Sequence, residues 1–273
     1  MSPFAMLDPT NMIPVASTLP DAESASAVTH TSTTEMSGSI TWPEFLEGLQ
    51  GRYPTLLAFA FDWWHYNVPL FERIRQIVPA PARILEVGTG TGALAILLAG
   101  HGYEVLGIDN DQQVIARART LAEYLRTPCQ FEFGDALDLS AYAAKFDLAF
   151  SSGVIEHFPA ETAMRMLREQ GQAARYVLVA VPTWFALKND PLTEASGARP
   201  IRLKELKRIC QQAGLEVFKG FGYGTPDGGF SVIYRHFLPH VVQWVLQNRL
   251  SYACTIGCIA RSRSVAVPPR NEK

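Results

Sequence analysis

The stretch that most constrains this chain is Arg83-Ile84-Leu85-Glu86-Val87-Gly88-Thr89-Gly90-Thr91-Gly92-Ala93-Leu94. A short apolar run ends in an acid, alternate glycines follow, and an Ala/Leu-rich run begins. That order predicts a buried strand, a tight turn and a helix N-terminus. Without Cβ atoms the turn can approach a ligand closely. The helix start brings unpaired N–H groups and a positive dipole end to the same place.

From Ile84 onward strand-like and helical runs alternate. Strands are predicted near 83–87, 104–108, 130–133, 146–151, 175–182 and 215–222. Helices are predicted near 92–100, 112–125, 161–171 and 202–213, where Val114, Ile115, Ala118, Leu121, Ala122 and Leu125 carry helical spacing. Such alternation implies a parallel sheet covered on both faces, with right-handed crossovers. A further helix near 236–249 and a last strand near 252–261 break the simple pattern.

Outside this unit, residues 1–39 are rich in Ser, Thr, Ala and Pro and are expected to be a disordered tail, and 263–273 a loose C-terminal tail. Residues 40–79 are expected to form two helices, with Thr41 as N-cap and Pro43 and Glu44 in the first turn. Phe59, Phe61, Trp63, Trp64, His65, Tyr66 and Phe71 cannot share one helical stripe. Packing onto the main domain and a lid over a cleft both remain open for them.

The 273 residues carry a net charge of −2, so no basic excess points to nucleic acid or an anionic membrane. No apolar run is long enough to span a bilayer. The first 51 residues hold no Lys or Arg, which speaks against a secretory or transit signal. Cys129, Cys210, Cys254 and Cys258 form no CxxC. A reducing cytosol is therefore the expectation, with core packing preferred over metal binding for Cys254 and Cys258. No metal-ligand cluster is apparent.

Three acids close the first three strands. Glu86 stands just before the glycines, where a carboxylate disfavours pyrophosphate and suits a cationic ligand group. Asp109 closes Gly107-Ile108-Asp109, 17 residues beyond Gly92, where an acid can accept both ribose hydroxyls. Asp135 follows Gly134 and can accept from an adenine amino group. All three fall at C-terminal strand ends, the ligand side of such sheets. Taken singly, Asp109 and Asp135 also fit ordinary loop or N-cap acids.

Glu86-Val87-Gly88-Thr89-Gly90-Thr91-Gly92 resembles motif I of class I S-adenosylmethionine-dependent methyltransferases. Gly107-Ile108-Asp109 is similar to their second motif, Gly134-Asp135-Ala136 to their adenine turn, and Phe146–Phe158 to their fourth strand and the Glu-His segment after it. The resemblance covers about 80–262. It implies an α/β fold: a doubly wound, mostly parallel seven-stranded sheet of order 3-2-1-4-5-7-6 with the last strand antiparallel and 224–250 as a cap insertion; the expected N-terminal helical lid (40–79) lies outside it. It further implies S-adenosylmethionine as cofactor. Glu86, Gly88, Gly90 and Gly92 would hold its methionine part and Asp109 its ribose. Asp135 and Ala136 would flank the adenine, and backbone near Ser151 to Gly153 would face its amino group.

Methyl transfer from a sulfonium needs positioning and exclusion of water, and a base only if the acceptor loses a proton. His157 is the leading candidate base, against a purely loop-ordering role for Glu156-His157. His65, Tyr66, Tyr223, Tyr234 and His236 are weaker candidates. Pro182-Thr183-Trp184-Phe185-Ala186, with Trp63, Trp64 and Phe230, would wall an apolar pocket for a small, partly hydrophobic organic acceptor. Two alternatives remain: an NAD(P)-dependent oxidoreductase, through the loose GxGxxA match of Gly88, Gly90 and Ala93, and a non-catalytic cofactor- or partner-binding protein.

Overall fold

The computed structural model describes residues 40–188, 191–226, 234 and 237–265. The expected tail (1–39), Phe230, His236 and the Pro268-Pro269-Arg270 end lie outside the described residues.

Seven strands form one sheet: β1 (Arg83–Val87), β2 (Glu104–Asp109), β3 (Gln130–Phe133), β4 (Phe146–Ser152), β5 (Ala174–Pro182), β6 (Glu216–Tyr223) and β7 (Thr255–Arg261). Their order is β3-β2-β1-β4-β5-β7-β6. β1 pairs in parallel with β2 and β4, whereas β7 runs antiparallel between β5 and β6. The anticipated order and the reversed last strand are thus both present.

The strand periodicity explains the layers. On β5, Leu178 and Ala180 face one core, and Val177, Val179 and Val181 face the other. The first core is shared with α2 (Leu56–Ile77), α3 (Ala93–Gly100) and α4 (Gln112–Tyr124). The second is shared with α5 (Ala160–Ala173) and α8 (Leu203–Gln212). Of the two cysteines expected to pack, Cys258 is fully buried in that second core, with Cys210 beside it, whereas Cys254 is half-buried.

α1 (Trp42–Gln50) begins as a capping box. Thr41 N–H donates to Glu44 Oε2 at 2.7 Å, and Glu44 N–H reaches back to Thr41 Oγ1 at 3.5 Å. Asp147, at the start of β4, accepts the Arg83 N–H at 2.7 Å and so ties β4 to β1.

Two boundaries differ from the sequence expectation. The last strand starts at Thr255 rather than 252, because Tyr252 N–H bonds Leu246 O and Cys254 N–H bonds Gly224 O, committing both to loop closure. The preceding helix, α9 (His240–Arg249), starts four residues later than 236, with Pro239 as its N-cap. Two short helices, α6 (Trp184–Leu187) and α7 (Pro191–Ala195), were not expected; neither is long enough to show a period.

Candidate active site

The turn after β1 is fixed from beneath. Gly88 N–H and Thr89 N–H both donate to Ile108 O at 2.9 Å, docking the turn on β2. Gly88, Gly90 and Gly92 have φ of 71°, 53° and 74°, left-handed values that glycine adopts without steric cost. Glu86 is 3% exposed. Its Oε2 accepts Thr89 Oγ1–H at 2.7 Å and Ala95 N–H at 3.1 Å, clasping the turn to the start of α3. Burial pushes its carboxyl up to about 8, against the two hydrogen bonds that lower it.

The neighbouring strand ends are tied to this turn. Asp109 Oδ2 accepts Gly90 N–H at 3.1 Å, and Gly134 N–H donates to Asp109 O at 2.9 Å. Burial raises the Asp109 carboxyl to about 6, with the Gly90 bond opposing. Asp135 Oδ1 accepts Leu137 N–H at 2.8 Å, which holds the turn after β3.

These elements wall one cavity of about 340 Å³. Glu86, Gly88, Gly90, Asp109, Asp135, Ala136 and His157 all line it. Two residues anticipated for the site do not. Gly92 is turned into the core, where an added Cβ would lie 2.7 Å from Phe131 Cζ and 2.9 Å from Ala118 Cβ; its place in the turn is a packing requirement. Ser151 is fully buried with its Oγ accepting Gln170 Nε2–H at 3.3 Å, and Ser152 and Gly153 take the cavity wall instead. Ser152 and Gly153 belong to the Ser151–Gly153 backbone stretch to which the sequence points.

His157 lies in the turn Ile155–His157 after β4 and is 5% exposed. Its Nδ1 is 3.1 Å from Ser196 O, so the carbonyl accepts and Nδ1 carries the proton. Burial pushes its pKa down to about 4, against the raising effect of that bond. Trp42 of α1 packs edge-on against it at 4.7 Å between centroids.

The opposite wall is apolar with an embedded polar cluster. Trp42, Phe45, Leu46 and Leu49 come from α1, and Trp63, Tyr66 and Asn67 from α2. Tyr66 Oη and Thr255 Oγ1 are 2.7 Å apart, and Tyr223 Oη donates to Asn67 Oδ1 at 2.9 Å. Burial raises the Tyr223 phenol well above its usual range, so it serves as a neutral hydrogen-bonding group. Trp64 turns away, donating Nε1–H to Ala93 O at 2.6 Å. Trp184 is 55% exposed, and Phe185 packs against Tyr252. From that segment Pro182, Ala186 and Leu187 reach the cavity. His65 is exposed, and Tyr234 is buried beside Tyr252, its Oη donating to Gln243 O at 3.4 Å.

The sequence places α1 in the expected lid without singling out Trp42, Phe45, Leu46 or Leu49, and sequence reasoning missed Asn67, Ser196 and Thr255. Thr255 had a usable signal, since it starts the reversed strand at the cleft end. Ser196 had none, lying in a segment without period. Among the described residues no group of His, Cys, Asp or Glu is placed to hold a metal ion, and no helix is long and apolar enough to cross a membrane.

A family profile described as a methyltransferase domain matches residues 84–175. The chain is 28% identical over 184 residues to a ubiquinone biosynthesis O-methyltransferase of Thiobacillus denitrificans, covering 58% of this chain and 79% of that protein. It superposes on magnesium protoporphyrin IX methyltransferase from Synechocystis, solved with bound S-adenosylmethionine, at TM-score 0.54 and 16% identity, covering 82% of this chain and 92% of that one. A TehB-like S-adenosylmethionine-dependent methyltransferase from Corynebacterium glutamicum gives TM-score 0.53 at 17% identity, covering 81% and 100%. At such identities the superpositions speak for the fold.

Proposed function

We propose that this chain, a member of the class I S-adenosylmethionine-dependent methyltransferase family, methylates a hydroxyl oxygen on a small, partly hydrophobic organic acceptor. The observation that carries this reading is the composition of one cavity: three strand-end acids and a glycine turn on one side, and Trp42, Phe45, Leu46 and Trp63 on the other. The choice of oxygen follows the relatives named as O-methyltransferases of ubiquinone biosynthesis.

The donor set fits the cofactor. A half-buried acid at the end of β2, at Asp109, suits paired hydroxyls, and the left-handed glycines Gly88 and Gly90 leave room where side chains would intrude. When bound, S-adenosylmethionine supplies an electrophilic methyl on a sulfonium whose departure leaves a neutral sulfide. We assign Asp109 to the ribose, Asp135 and Ala136 to the adenine, and Glu86 with Gly88 and Gly90 to the methionine end. Glu86 acts there by its buried charge, which a cationic ligand offsets. Ser152 and Gly153 offer the backbone beside it.

We read residues 40–79 as the lid and 224–250 as a cap. In support, α1 and α2 both contribute cavity walls, and Asn248 Oδ1 of α9 accepts Gly222 N–H at 3.3 Å. The lid's part is to exclude water and hold the acceptor in line with the transferred methyl. His157, neutral at pH 7 and anchored to Ser196 O, orients the acceptor end of the cavity.

Transfer of labelled methyl groups from S-adenosylmethionine into an extract of the source organism, followed by chromatography of the labelled product, tests this. An apolar hydroxylated product that becomes an ether supports the reading. Label found only in protein or nucleic acid refutes the acceptor class.

A further inference from the structure

We propose that Glu156 receives the acceptor's hydroxyl: its carboxylate accepts the hydrogen bond that orients the hydroxyl, and then takes the proton as the oxygen is methylated. This rests on the hydroxyl-bearing acceptor proposed above and assigns the proton to a residue other than His157.

Glu156 lines the cavity yet is 2% exposed. Its Oε2 has no hydrogen-bond partner among the described residues. Its Oε1 lies 3.8 Å from His157 Nε2, too far for a hydrogen bond. Native structures satisfy buried polar atoms almost without exception, so an orphaned carboxyl oxygen on a cavity wall calls for a ligand donor. Gly153 lines the same cavity beside it, and a Cβ added there would lie in contact with Glu156 Oε1 at 3.7 Å.

Burial, against the surrounding charge, favours a proton acceptor at this position. His157 shares the turn and is a poor base, burial holding its pKa at about 4. The Glu156 backbone N–H and then Arg199, in the segment between α7 and α8, lower the Glu156 pKa in part; Arg199 Nη1 is engaged by Glu205 Oε1 at 2.8 Å, and its Nη2 has no hydrogen-bond partner among the described residues. Burial dominates and pushes the Glu156 carboxyl up to about 8. A carboxylate with that affinity for a proton is matched to a phenolic hydroxyl far better than one at the ordinary carboxylate value. In the step itself the acceptor oxygen forms its bond to the methyl carbon, the electron pair of the broken carbon–sulfur bond stays on sulfur, and the hydroxyl proton passes to Glu156. That proton leaves to solvent once the product departs.

The test uses the full chain saturated with S-adenosylhomocysteine, titrated calorimetrically with 4-butylphenol and with its methyl ether, 4-butylanisole. Wild type is expected to prefer the phenol at least tenfold. Glu156→Met should abolish that preference while leaving S-adenosylhomocysteine affinity within twofold and the melting temperature unchanged or higher, because a buried orphan carboxyl is removed. Glu156→Gln keeps an acceptor oxygen and should retain most of the preference, while labelled-methyl transfer to 4-butylphenol falls at least a hundredfold and loses its rise with pH. A phenol preference that survives Glu156→Met overturns the inference. A tenfold loss of S-adenosylhomocysteine affinity in that variant instead makes Glu156 a cofactor contact, and a lowered melting temperature with the preference intact makes it a structural partner of Arg199. If wild type binds neither probe while still binding S-adenosylhomocysteine, the acceptor class itself is wrong and this role falls with it.

Discussion

Gly92→Ala separates a packing glycine from a binding one. Gly92 sits at the N-cap of α3 with φ of 74°, left-handed space that costs an L-residue about 1–2 kcal/mol. The new methyl would also stand 2.7 Å from Phe131 Cζ and 2.9 Å from Ala118 Cβ. Phe131 and Ala118 are both buried in the core under α4, so neither can yield without disturbing β3 or the helix. Overpacking of that kind costs about 1–3 kcal/mol. The combined destabilisation is therefore about 2–5 kcal/mol, a large share of a domain's stability. Urea unfolding followed by far-ultraviolet circular dichroism and tryptophan fluorescence measures it. The folded fraction should still bind S-adenosylhomocysteine within a few-fold of wild type, because Gly92 does not line the cavity. A loss of less than about 0.5 kcal/mol, the scatter of ordinary surface substitutions, would refute the packing argument. Intact stability with abolished binding would return Gly92 to the ligand site.

Stability of the ligand-free protein should depend on pH through its buried acids. Burial raises Glu86 to about 8 and Asp109 to about 6, so both fold more readily protonated. The stabilisation is complete below their unfolded values and is lost as pH rises through about 6 and about 8. The melting temperature should fall between pH 5.5 and pH 8.5, and Glu86→Gln should flatten the fall; a melting temperature that rises across that range contradicts the assignment. Tyr223→Phe removes the buried bond to Asn67 Oδ1 and should cost about 1–2 kcal/mol in urea unfolding, with no cost at all showing that Asn67 finds another donor.

The sheet was legible from the sequence because each strand and helix carried its own period. The buried runs of β1 and β5 and the spacing of Val114, Ile115, Ala118 and Leu121 leave one arrangement that covers both faces. The acids at the ends of β1, β2 and β3 were legible for the same reason: strand ends in a parallel sheet define a common edge. Trp64 shows one limit of such reading, since it turns its Nε1–H to Ala93 O while Trp63, one residue before it, lines the cavity. Gly92 shows another, because a glycine needed for ligand approach and one needed for packing look alike in a sequence. The acceptor half was hardly legible. It is built from α1, α2, the end of β6 and the start of β7, which meet only through tertiary contacts such as Tyr66 with Thr255, 189 residues apart. For Glu156 the sequence offers only a loop-ordering alternative shared with His157, and its unsatisfied oxygen appears only once the loop is folded.

The central claim is that the glycine turn and the strand-end acids form an S-adenosylmethionine site. Isothermal titration with S-adenosylhomocysteine and, separately, with NAD tests it most directly, on wild type and on Asp109→Ala. Wild type should bind S-adenosylhomocysteine with micromolar or tighter affinity and give no heat with NAD, and Asp109→Ala should lose about 2–3 kcal/mol, roughly a 30- to 150-fold weakening, as charge-assisted bonds to the ribose disappear. Heat with NAD and none with S-adenosylhomocysteine would contradict it, and an unchanged S-adenosylhomocysteine affinity in Asp109→Ala would remove the ribose from that strand end.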